Sequence, residues 1–526
     1  MRHCLPKRRK DVIFATKSLL LYNYKTMRKV ILNVAASTVV ALMSVPCLAQ
    51  KMMVYTSVDN NCMQRSAVSL SGKAAATPLL SVDAATDPIV TYRAWGTTFN
   101  EQHWRALNIL SEADREEVMR RFWSPTGDLH LTRGRVAMNG NDLDLGWYSC
   151  DSVDGDFQLK YFNIEHDKQT KLPFIHLAQK YYPQLTLWVS PWCPPTWMKI
   201  NHHYAVQSNR TNDLDPRKDY LLFGDGDRSD NEQMKPDKTK FPRRLTCQDF
   251  FIQDPRYLQA YADMFARFID LYKAEGAPVD MVMFQNESYS YTPYPGCPWT
   301  PQGTIRFNME YLAPTLQKTH PEVALYMGTF NTNRYDNADE ILSDPRMKTS
   351  VKGVGLQWEG REILARLRKK FPEWSYICSE CECGGGTFDW KAGEHVFELI
   401  NHYLGNGCNE FFNWNGVLAD DGKTLWGWPQ NALVHVDSKT RTYTLTPEYY
   451  AFMHYSHFIE PGADIVGYVA QDKGQTPVLV ARHKNGKYVV VAANFANESR
   501  TVSVKLGKKY LNMTLKAHSM NTYDMK

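Results

Sequence analysis

The sequence predicts an α/β protein: a (β/α)8 TIM barrel with an attached all-β sandwich domain formed from the N- and C-terminal segments. Three observations support this prediction. Eight apolar, β-rich segments that end in polar residues recur along the chain, with longer stretches of helical periodicity between them. From about residue 462 onward, short strands alternate with turn residues instead. With 526 residues, the chain is long enough for one barrel and a smaller module.

The eight β-rich segments predict the strands of the barrel. In chain order they read TYRAWGTTF, GRVAMNG, QLTLWVSPW, VDMVMFQNE, VALYMGTFN, VKGVGLQWE, SYICSECE and EFFNWNGVL. Catalytic groups of such barrels sit at the carboxyl ends of the strands. Polar residues at the ends of these segments are therefore the first candidates for a functional site.

The stretches between the strands predict helices. The segment PRYLQAYADMFARFIDLYKAEG places apolar residues at three- and four-residue spacing and ends at Gly276. A helix with one apolar face is the expected cover of a parallel strand, and it supports the alternation of strands and helices in a barrel.

The C-terminal segment predicts an all-β module. The runs DIVGYVA, PVLVARHK, KYVVVAANF, TVSVKL and MTLKAHSMNTYDM are strand-like, and Lys484-Asn485-Gly486 is a turn between two of them. The early run MVYTSVDN is also strand-like and can complete the module. We predict N-terminal strands in residues 50–93, the barrel in 94–455 and the C-terminal part of the sandwich in 456–526.

The N-terminus predicts export. Met27-Arg28-Lys29, an apolar run and Cys47-Leu48-Ala49 have the pattern of a secretory signal peptide that is cleaved near Ala49 and Gln50. Residues 1–26 are interpreted as an over-extended start. The first 49 residues carry nine Lys and Arg and one Asp, so the formal charge of +5 becomes about −3 after cleavage. We expect a periplasmic, cell-surface or extracellular protein without a membrane span and without a nucleic-acid partner.

The cysteines and the longest insertion predict no metal site and no cofactor. Nine cysteines follow residue 49 without regular spacing, which does not fit a disulfide framework. Cys378, Cys381 and Cys383 have no partner cluster, although a metal site there is the alternative. Residues 201–248 form a polar insertion whose GDGDRSDNE run resembles a calcium loop only loosely, and we interpret it as a solvated loop.

Two carboxylates qualify as catalytic groups. Glu287 ends the fourth candidate strand and Glu380 ends the seventh, so both should reach the mouth of the barrel. Retaining glycoside hydrolysis needs such a pair, with one carboxylic acid to protonate the leaving oxygen and one carboxylate about 5–5.5 Å away to attack the anomeric carbon. The alternative is that either residue is an ordinary exposed glutamate at a strand end. The 13% of aromatic residues also suits a sugar-binding cleft.

Several motifs resemble glycoside hydrolase family 30, the glucosylceramidase-like family, along nearly the whole mature chain. They are Arg135-Val-Ala-Met, DFQLKYFNI, SPWCPPTWMK, QNES, SECECGG and FNWN, and SPWCPPTWMK is the most specific. The resemblance implies a barrel with a sandwich built from both ends of the chain, and hydrolysis of β-glycosides with retention. It implies that Glu287 of QNES is the acid/base after Asn286, and that Glu380 of SECECGG is the nucleophile in preference to Glu382.

The resemblance also implies substrate-binding residues. Arg135 should support the nucleophile, Asp142 and Trp192 should hydrogen-bond sugar hydroxyls, and Trp414 and Asn431 should lie beside the bound glucose. Asp142 suits its role because a carboxylate supplies a pair of acceptors. Alternatively, Trp192 packs the barrel rim and Arg135 is an ordinary salt-bridged strand residue.

The end of the sixth strand departs from the family pattern. Family members have His-Trp-aromatic there, whereas this chain has Gln357-Trp358-Glu359. We include Trp358 among the substrate-binding residues. An ionised Glu359 cannot donate to the nucleophile and would repel it. Together with the 201–248 insertion, this predicts an acceptor pocket unlike one for a lipid aglycone.

The sequence therefore predicts a secreted retaining β-glucoside hydrolase whose substrate is a β-1,6-glucan or a related β-glucoside. The alternatives are a glucosylceramidase proper and a hydrolase of β-xylan or another β-glycoside. A carbohydrate-binding protein that has lost activity is a more remote alternative, as is a surface protein that uses the sandwich for attachment.

Overall fold

The computed structural model describes residues 51–78, 80–85, 87–216, 249–381, 383–469 and 475–525. The predicted leader and most of the polar insertion lie outside these residues. The strands are β1 (Lys51–Val58), β2 (Asn61–Ser69), β3 (Leu80–Asp83), β4 (Val90–Thr91), β5 (Ala94–Thr98), β6 (Arg133–Val136), β7 (Thr186–Val189), β8 (Val279–Met283), β9 (Ala324–Phe330), β10 (Val351–Gln357), β11 (Ser375–Cys381), β12 (Glu410–Asn413), β13 (Val417–Ala419), β14 (Val434–Asp437), β15 (Thr442–Leu445), β16 (Asp464–Val469), β17 (Val478–Arg482), β18 (Tyr488–Asn494), β19 (Arg500–Leu506), β20 (Lys509–Leu515) and β21 (Ser519–Met525).

The α-helices lie mainly between the barrel strands. They are α1 (Glu101–Ile109), α2 (Glu112–Trp123), α3 (Lys171–Tyr181), α4 (Pro255–Ala274), α5 (Pro301–Phe307), α6 (Ala313–Thr319), α7 (Tyr335–Leu342), α8 (Met347–Ser350), α9 (Leu364–Lys370), α10 (Trp390–Gly405) and α11 (Pro447–Ser456). Within the described residues, no helix combines the length and the apolar character that a membrane crossing requires.

The strands β5 to β12 close into a barrel in which every neighbouring pair is parallel. Each of the eight predicted segments overlaps one of these strands, so the predicted barrel is confirmed. The predicted helix is α4, which begins after the capping side chain of Asp254 and is followed by Gly276 at φ +76°. Its ten buried residues form one face, as the spacing of its apolar residues predicts.

The sandwich joins both ends of the described chain. Its larger sheet has the order β2-β1-β21-β18-β17-β16-β4, and β20-β19-β3 form the smaller sheet. Strand β1 pairs with β21 along six residue pairs. His454 on α11 is buried and its ring nitrogens contact Ser57 of β1 and Thr522 of β21, at 2.9 and 2.8 Å. The prediction that N- and C-terminal segments form the sandwich is confirmed.

The interior of the barrel is packed, so the cavity at its mouth has a floor. The side chains that fill the interior point inward from alternate positions of the strands. They form one buried cluster of Trp188, Met281, Met283, Tyr326, Ile377 and Phe412. A small sheet of β13, β14 and β15, which the sequence did not predict, follows the eighth barrel strand and carries the loop that borders the cavity.

Candidate active site

A cavity of about 660 Å³ opens where the barrel strands end. Glu287 and Glu380 both line it, although they are 93 positions apart in the chain. Of the other predicted site residues, Asp142, Trp192, Asn286 and Trp358 line the same cavity. The structure thus brings together side chains that follow five different barrel strands.

The carboxylate of Glu380, on β11, forms an ion pair with the guanidinium of Arg135. Arg135 on β6 donates from Nη1 to Glu380 Oε2 at 2.5 Å, and the indole nitrogen of Trp358 donates to Glu380 Oε1 at 3.1 Å. Burial raises the pKa of Glu380, while Arg135, Trp358 and Gln357 oppose that rise. Charge-assisted hydrogen bonds of this kind stabilise the carboxylate form and fix its orientation.

Arg135 is held on all sides. It is 1% exposed, and its guanidinium carbon lies 4.6 and 4.3 Å from ring centroids of Trp188 and Trp192. Its Nη2 donates to Asn286 Oδ1 at 2.6 Å and to Ser190 Oγ at 3.0 Å. A buried cation with several acceptors and stacked rings is a rigid support for a carboxylate.

The amide of Asn286 has a defined orientation. Its Oδ1 accepts from Arg135 Nη2, from Gln357 Nε2 at 3.1 Å and from Thr329 Oγ1 at 3.2 Å. Because this atom accepts from three donors, it must be the amide oxygen and not the nitrogen. The Nδ2 group therefore faces away from these donors, on a residue that lines the cavity.

Glu287 has a different environment from Glu380. It accepts from Ser290 Oγ at 2.9 Å and from Gln357 Nε2 at 3.2 Å, both of them neutral donors. Burial and the charge of Glu380, with a smaller contribution from Glu359, raise the pKa of Glu287 to about 7. Because only Glu380 has a cationic partner, the negative charge of the pair belongs on Glu380 and the proton on Glu287.

Two site residues adopt left-handed backbone conformations. The φ angles of Glu287 and Trp358 are +47° and +50°. Such angles are uncommon for residues with a Cβ and cluster at functional sites. The backbone N–H of Glu287 donates to Thr329 Oγ1 at 3.0 Å, which helps to hold this conformation.

Asp142 lies in a loop that a buried ionic network supports. Lys171 contacts Asp144 at 2.9 Å with both side chains fully buried, and Asp144 accepts from the backbone N–H groups of Glu101 and Asn141. Asp142 itself keeps a buried Oδ1 without a hydrogen-bond partner among the described residues. Burial, followed by the charges of Glu380 and Glu287, raises the pKa of Asp142 well above its ordinary value.

Trp414 and Asn431 do not line the main cavity. Trp414 stacks behind Trp192, with ring centroids 5.2 Å apart. The Oδ1 of Asn431 accepts from the backbone N–H of Thr387 at 2.8 Å, and Asn431 borders a smaller hollow beside Gly384. Trp414 Nε1 and Asn431 Nδ2 both remain buried without a partner among the described residues.

The sequence did not identify several residues of the cavity. Gln357 was noted only as a departure from the family pattern, yet it contacts Asn286, Glu287 and Ser379. Its position directly at the end of a predicted strand was the available signal. Asn331, which ends the predicted segment VALYMGTFN, had the same signal. The other unpredicted lining residues lack it: Ser290, Tyr294, Trp426 and Trp428 lie in loops, and Asn337 lies on α7.

Glu359 is exposed, whereas Cys378 and Cys381 are buried. Glu359 is exposed at the cavity rim, where its charge acts on Glu287. Glu382, the alternative nucleophile, lies outside the described residues. The sulfur atoms of Cys378 and Cys381 are 3.3 Å apart in the buried part of β11. In the described part of the chain, no group of three or more His, Cys, Asp or Glu side chains is arranged to hold a metal ion.

Family models match both parts of this architecture. The model described as the glycosyl hydrolase family 30 TIM-barrel domain matches residues 92–213 and 250–459, and the model of the family's β-sandwich domain matches residues 479–523. The chain belongs to glycosyl hydrolase family 30. The resemblance found in the sequence motifs is thereby confirmed, and the protein is a glycoside hydrolase.

The relatives of this family 30 chain include glucosylceramidases and endo-1,6-beta-D-glucanases. It is 25% identical to lysosomal acid glucosylceramidase of Mus musculus over 450 residues, which cover 80% of this chain and 78% of that protein. It is 22% identical to endo-1,6-beta-D-glucanase of Neurospora crassa over 446 residues, which cover 80% and 82%.

Solved structures share the fold of this family 30 protein. SrfJ from Salmonella typhimurium has a TM-score of 0.74 at 19% identity, covering 90% of this chain and 99% of that chain. An endo-beta1,6-glucanase has a TM-score of 0.71 at 20% identity, with the same coverages. At these identities, the likeness supports the barrel and sandwich architecture.

Proposed function

We propose that the protein is a retaining β-glucoside hydrolase that works by double displacement, with Glu380 as nucleophile and Glu287 as acid/base. The observation that carries this proposal is the unequal environment of two carboxyl groups in one cavity. Glu380 is ion-paired with Arg135, whereas the pKa of Glu287 is raised to about 7. Hydrolysis by a carboxyl pair requires one carboxylate and one carboxylic acid, and the resemblance to the retaining enzymes of family 30 supports the retaining form.

In the first step, an oxygen of Glu380 attacks the anomeric carbon and the bond from that carbon to the leaving oxygen breaks. Glu287 gives its proton to the leaving oxygen. The product is a glycosyl ester of Glu380 and a released alcohol. Asn286 donates from Nδ2 to the neighbouring sugar hydroxyl, an interaction that strengthens as positive charge develops on the ring.

In the second step, the ester of Glu380 no longer carries a negative charge, so the pKa of Glu287 falls and Glu287 acts as a base. It takes a proton from water as the water oxygen attacks the anomeric carbon. The bond to Glu380 breaks, and the carboxylate returns to Arg135. Two inversions give net retention.

The groups that should hold the sugar include buried polar atoms without a hydrogen-bond partner among the described residues. We propose that Asp142 Oδ1, Trp414 Nε1 and Asn431 Nδ2, together with Trp192, bind its hydroxyls. Hydroxyls that donate to Asp142 would favour its ionised form.

We propose β-1,6-linked glucan or a related β-glucoside as the substrate. The similarity to the endo-1,6-beta-D-glucanase of Neurospora crassa supports a glucan as the substrate. The cavity supports it too, because Trp426, Trp428 and Tyr294 offer ring faces for successive sugars.

The stereochemistry of hydrolysis tests the mechanism. When the reaction on an aryl β-glucoside is followed by NMR, β-glucose should form first and then mutarotate. With 2,4-dinitrophenyl β-glucoside and azide, Glu380→Ala should give the α-glucosyl azide and Glu287→Ala the β-glucosyl azide. α-Glucose as the first product, or the opposite assignment of the azides, would show that the mechanism or the two roles are wrong.

A substrate panel tests the choice of substrate. We expect a higher kcat/KM on a linear β-1,6-glucan than on β-1,3-glucan, β-1,4-glucan, xylan or detergent-dispersed glucosylceramide. Faster hydrolysis of glucosylceramide or xylan would refute the proposal of a glucanase while keeping that of a retaining hydrolase.

We also propose that the protein is exported with cleavage near Ala49. The support is the basic start, apolar run and small residue before the cleavage position. N-terminal sequencing of the protein from the producing cell tests this, and a mature protein that begins at Met1 or Met27 would refute it.

A further inference from the structure

The wall of the cavity after the fifth barrel strand consists of polar side chains. Strand β9 ends at Phe330, and α7 begins at Tyr335. The side chains that line the cavity here are Asn331, Thr332, Asn333, Arg334 and Asn337. Elsewhere the rings of Trp192 and Trp426 line the cavity.

Two amides of this wall each keep one buried atom without a hydrogen-bond partner among the described residues. The atoms are Asn331 Oδ1, an acceptor, and Asn337 Nδ2, a donor. A buried polar atom without a partner destabilises the fold, so such atoms call for a ligand or water. Both residues line the cavity.

The order of the strands sets which part of a substrate meets this wall. In the barrel, β8 lies between β7 and β9. Glu287 after β8 therefore stands between Trp192, which follows β7, and Asn331, which follows β9. A proton donor lies at the bond that is broken. With the reacting sugar on the side of Trp192 and Asp142, the leaving group falls on the side of Asn331 and Asn337.

Asn331 is also connected to the acid/base. Its Nδ2 donates to Ser290 Oγ at 2.6 Å, and Ser290 Oγ donates to Glu287 Oε2 at 2.9 Å. Ser290 has a single hydroxyl proton, so accepting from Asn331 leaves that proton for Glu287. The amide that faces the leaving group thus also orients the carboxyl group that protonates it.

We propose that Asn331 and Asn337 form a leaving-group subsite for a second sugar unit and determine specificity for it. This inference rests on the proposed function. One acceptor and one donor suit sugar hydroxyls, which both donate and accept. An alkyl chain would leave both amides without partners, and sites built for hydroxyls discriminate strongly against groups that lack them.

The experiment compares three leaving groups on the full-length protein. The substrates are 2,4-dinitrophenyl β-glucoside, octyl β-glucoside and whichever β-linked glucose disaccharide the wild type cleaves fastest. We expect Asn331→Ala and Asn337→Ala each to lower kcat/KM on the disaccharide about 10- to 100-fold. On the dinitrophenyl glucoside the loss should stay within about threefold, because that leaving group needs neither protonation nor hydroxyl contacts.

Asn108→Ala is the matched control, since Asn108 is an exposed amide on α1 that does not line the cavity. Asn108→Ala should leave kcat/KM on all three substrates unchanged. Losses in the Asn331 and Asn337 variants that are equal for the three substrates, or absent for all, would overturn the inference. So would a wild type that prefers octyl β-glucoside to every disaccharide. A wild type without activity on any of the three would instead refute the proposed function, and the subsite with it.

Discussion

Arg135 and Glu380 form a buried ion pair, with 2.5 Å between Nη1 and Oε2. The same guanidinium donates to Asn286 at 2.6 Å. One side chain from β6 therefore sets the positions of a carboxylate on β11 and an amide after β8. This geometry explains how residues from distant parts of the chain can act on one sugar ring.

Replacement of Arg135 by lysine should lower kcat/KM about 100-fold or more. A lysine has one donor group in place of the planar fork, so it cannot hold Glu380 and Asn286 at once. Steady-state kinetics on an aryl β-glucoside measures the loss. Arg133→Lys is the control, because Arg133 lies on the same strand but pairs with Glu410 at 2.6 Å, outside the cavity. Equal losses of kcat/KM per folded molecule in both variants would contradict the role of Arg135.

The pH dependence should report the titration of Glu287. Its pKa is raised to about 7 by burial and by the charge of Glu380, and the protonated form is the active acid. For a glucoside with a poor leaving group, kcat/KM should therefore fall tenfold per pH unit above about pH 7. In Glu287→Gln, assayed on 2,4-dinitrophenyl β-glucoside, this alkaline limb should be missing. If kcat/KM of Glu287→Gln still falls above about pH 7, the titrating group is not Glu287.

Loss of Lys171 should destabilise the fold in a pH-dependent way. Lys171→Met leaves Asp144 buried without its cation, which costs about 3–5 kcal/mol. The pKa of Asp144 is already raised by burial to about 6. A raised pKa means that stability is present at low pH and is lost as the pH rises, so the penalty should be larger at pH 8 than at pH 5.

Urea unfolding at the two pH values measures this penalty. Lys180→Met is the control, since Lys180 is 58% exposed and pairs with Glu116 at the surface. It should cost less than about 1 kcal/mol at either pH. A penalty for Lys171→Met that does not change with pH would contradict the burial argument.

Trp428 should contribute to binding of extended substrates. It lines the cavity and is 43% exposed, so one ring face is open to a sugar. Loss of one stacked sugar is expected to cost about 1 kcal/mol or more. Trp428→Ala should thus lower kcat/KM on the preferred glucan about 5- to 20-fold without a large change in Tm. Tyr161→Ala is the control, because Tyr161 is 52% exposed and does not line the cavity. Equal effects of both variants would argue against stacking at Trp428.

The barrel and the position of the two carboxyl groups could be predicted from the sequence. Strands of a parallel barrel are buried on both faces, so they appear as apolar runs that end sharply in polar residues. Glu287 and Glu380 stand at or just beyond such ends. Because all strands end at one mouth, their meeting in one cavity follows from topology alone.

The supporting residues could not be predicted in the same way. Ser290 lies in a loop, where hydroxyls and amides are common and mostly contact water. Asn331 ends a predicted barrel segment, yet the pattern does not show that it reaches Ser290. Their link to Glu287 depends on loop conformations, including the left-handed backbone of Glu287, that no periodic pattern encodes. Trp414 stacks on Trp192 and does not line the main cavity, since a motif gives the identity of a ring but not the layer in which it lies.

The pairing of β1 with β21 has a consequence for synthesis of the protein. The hairpin of β1 and β2 is synthesised before the barrel, but β21, the inner neighbour of β1 in the sheet, is synthesised after the barrel. Until then, β1 offers an open edge to any other extended chain, and such edges promote aggregation. A nascent chain of this enzyme therefore depends on protection of that edge until β21 has been synthesised.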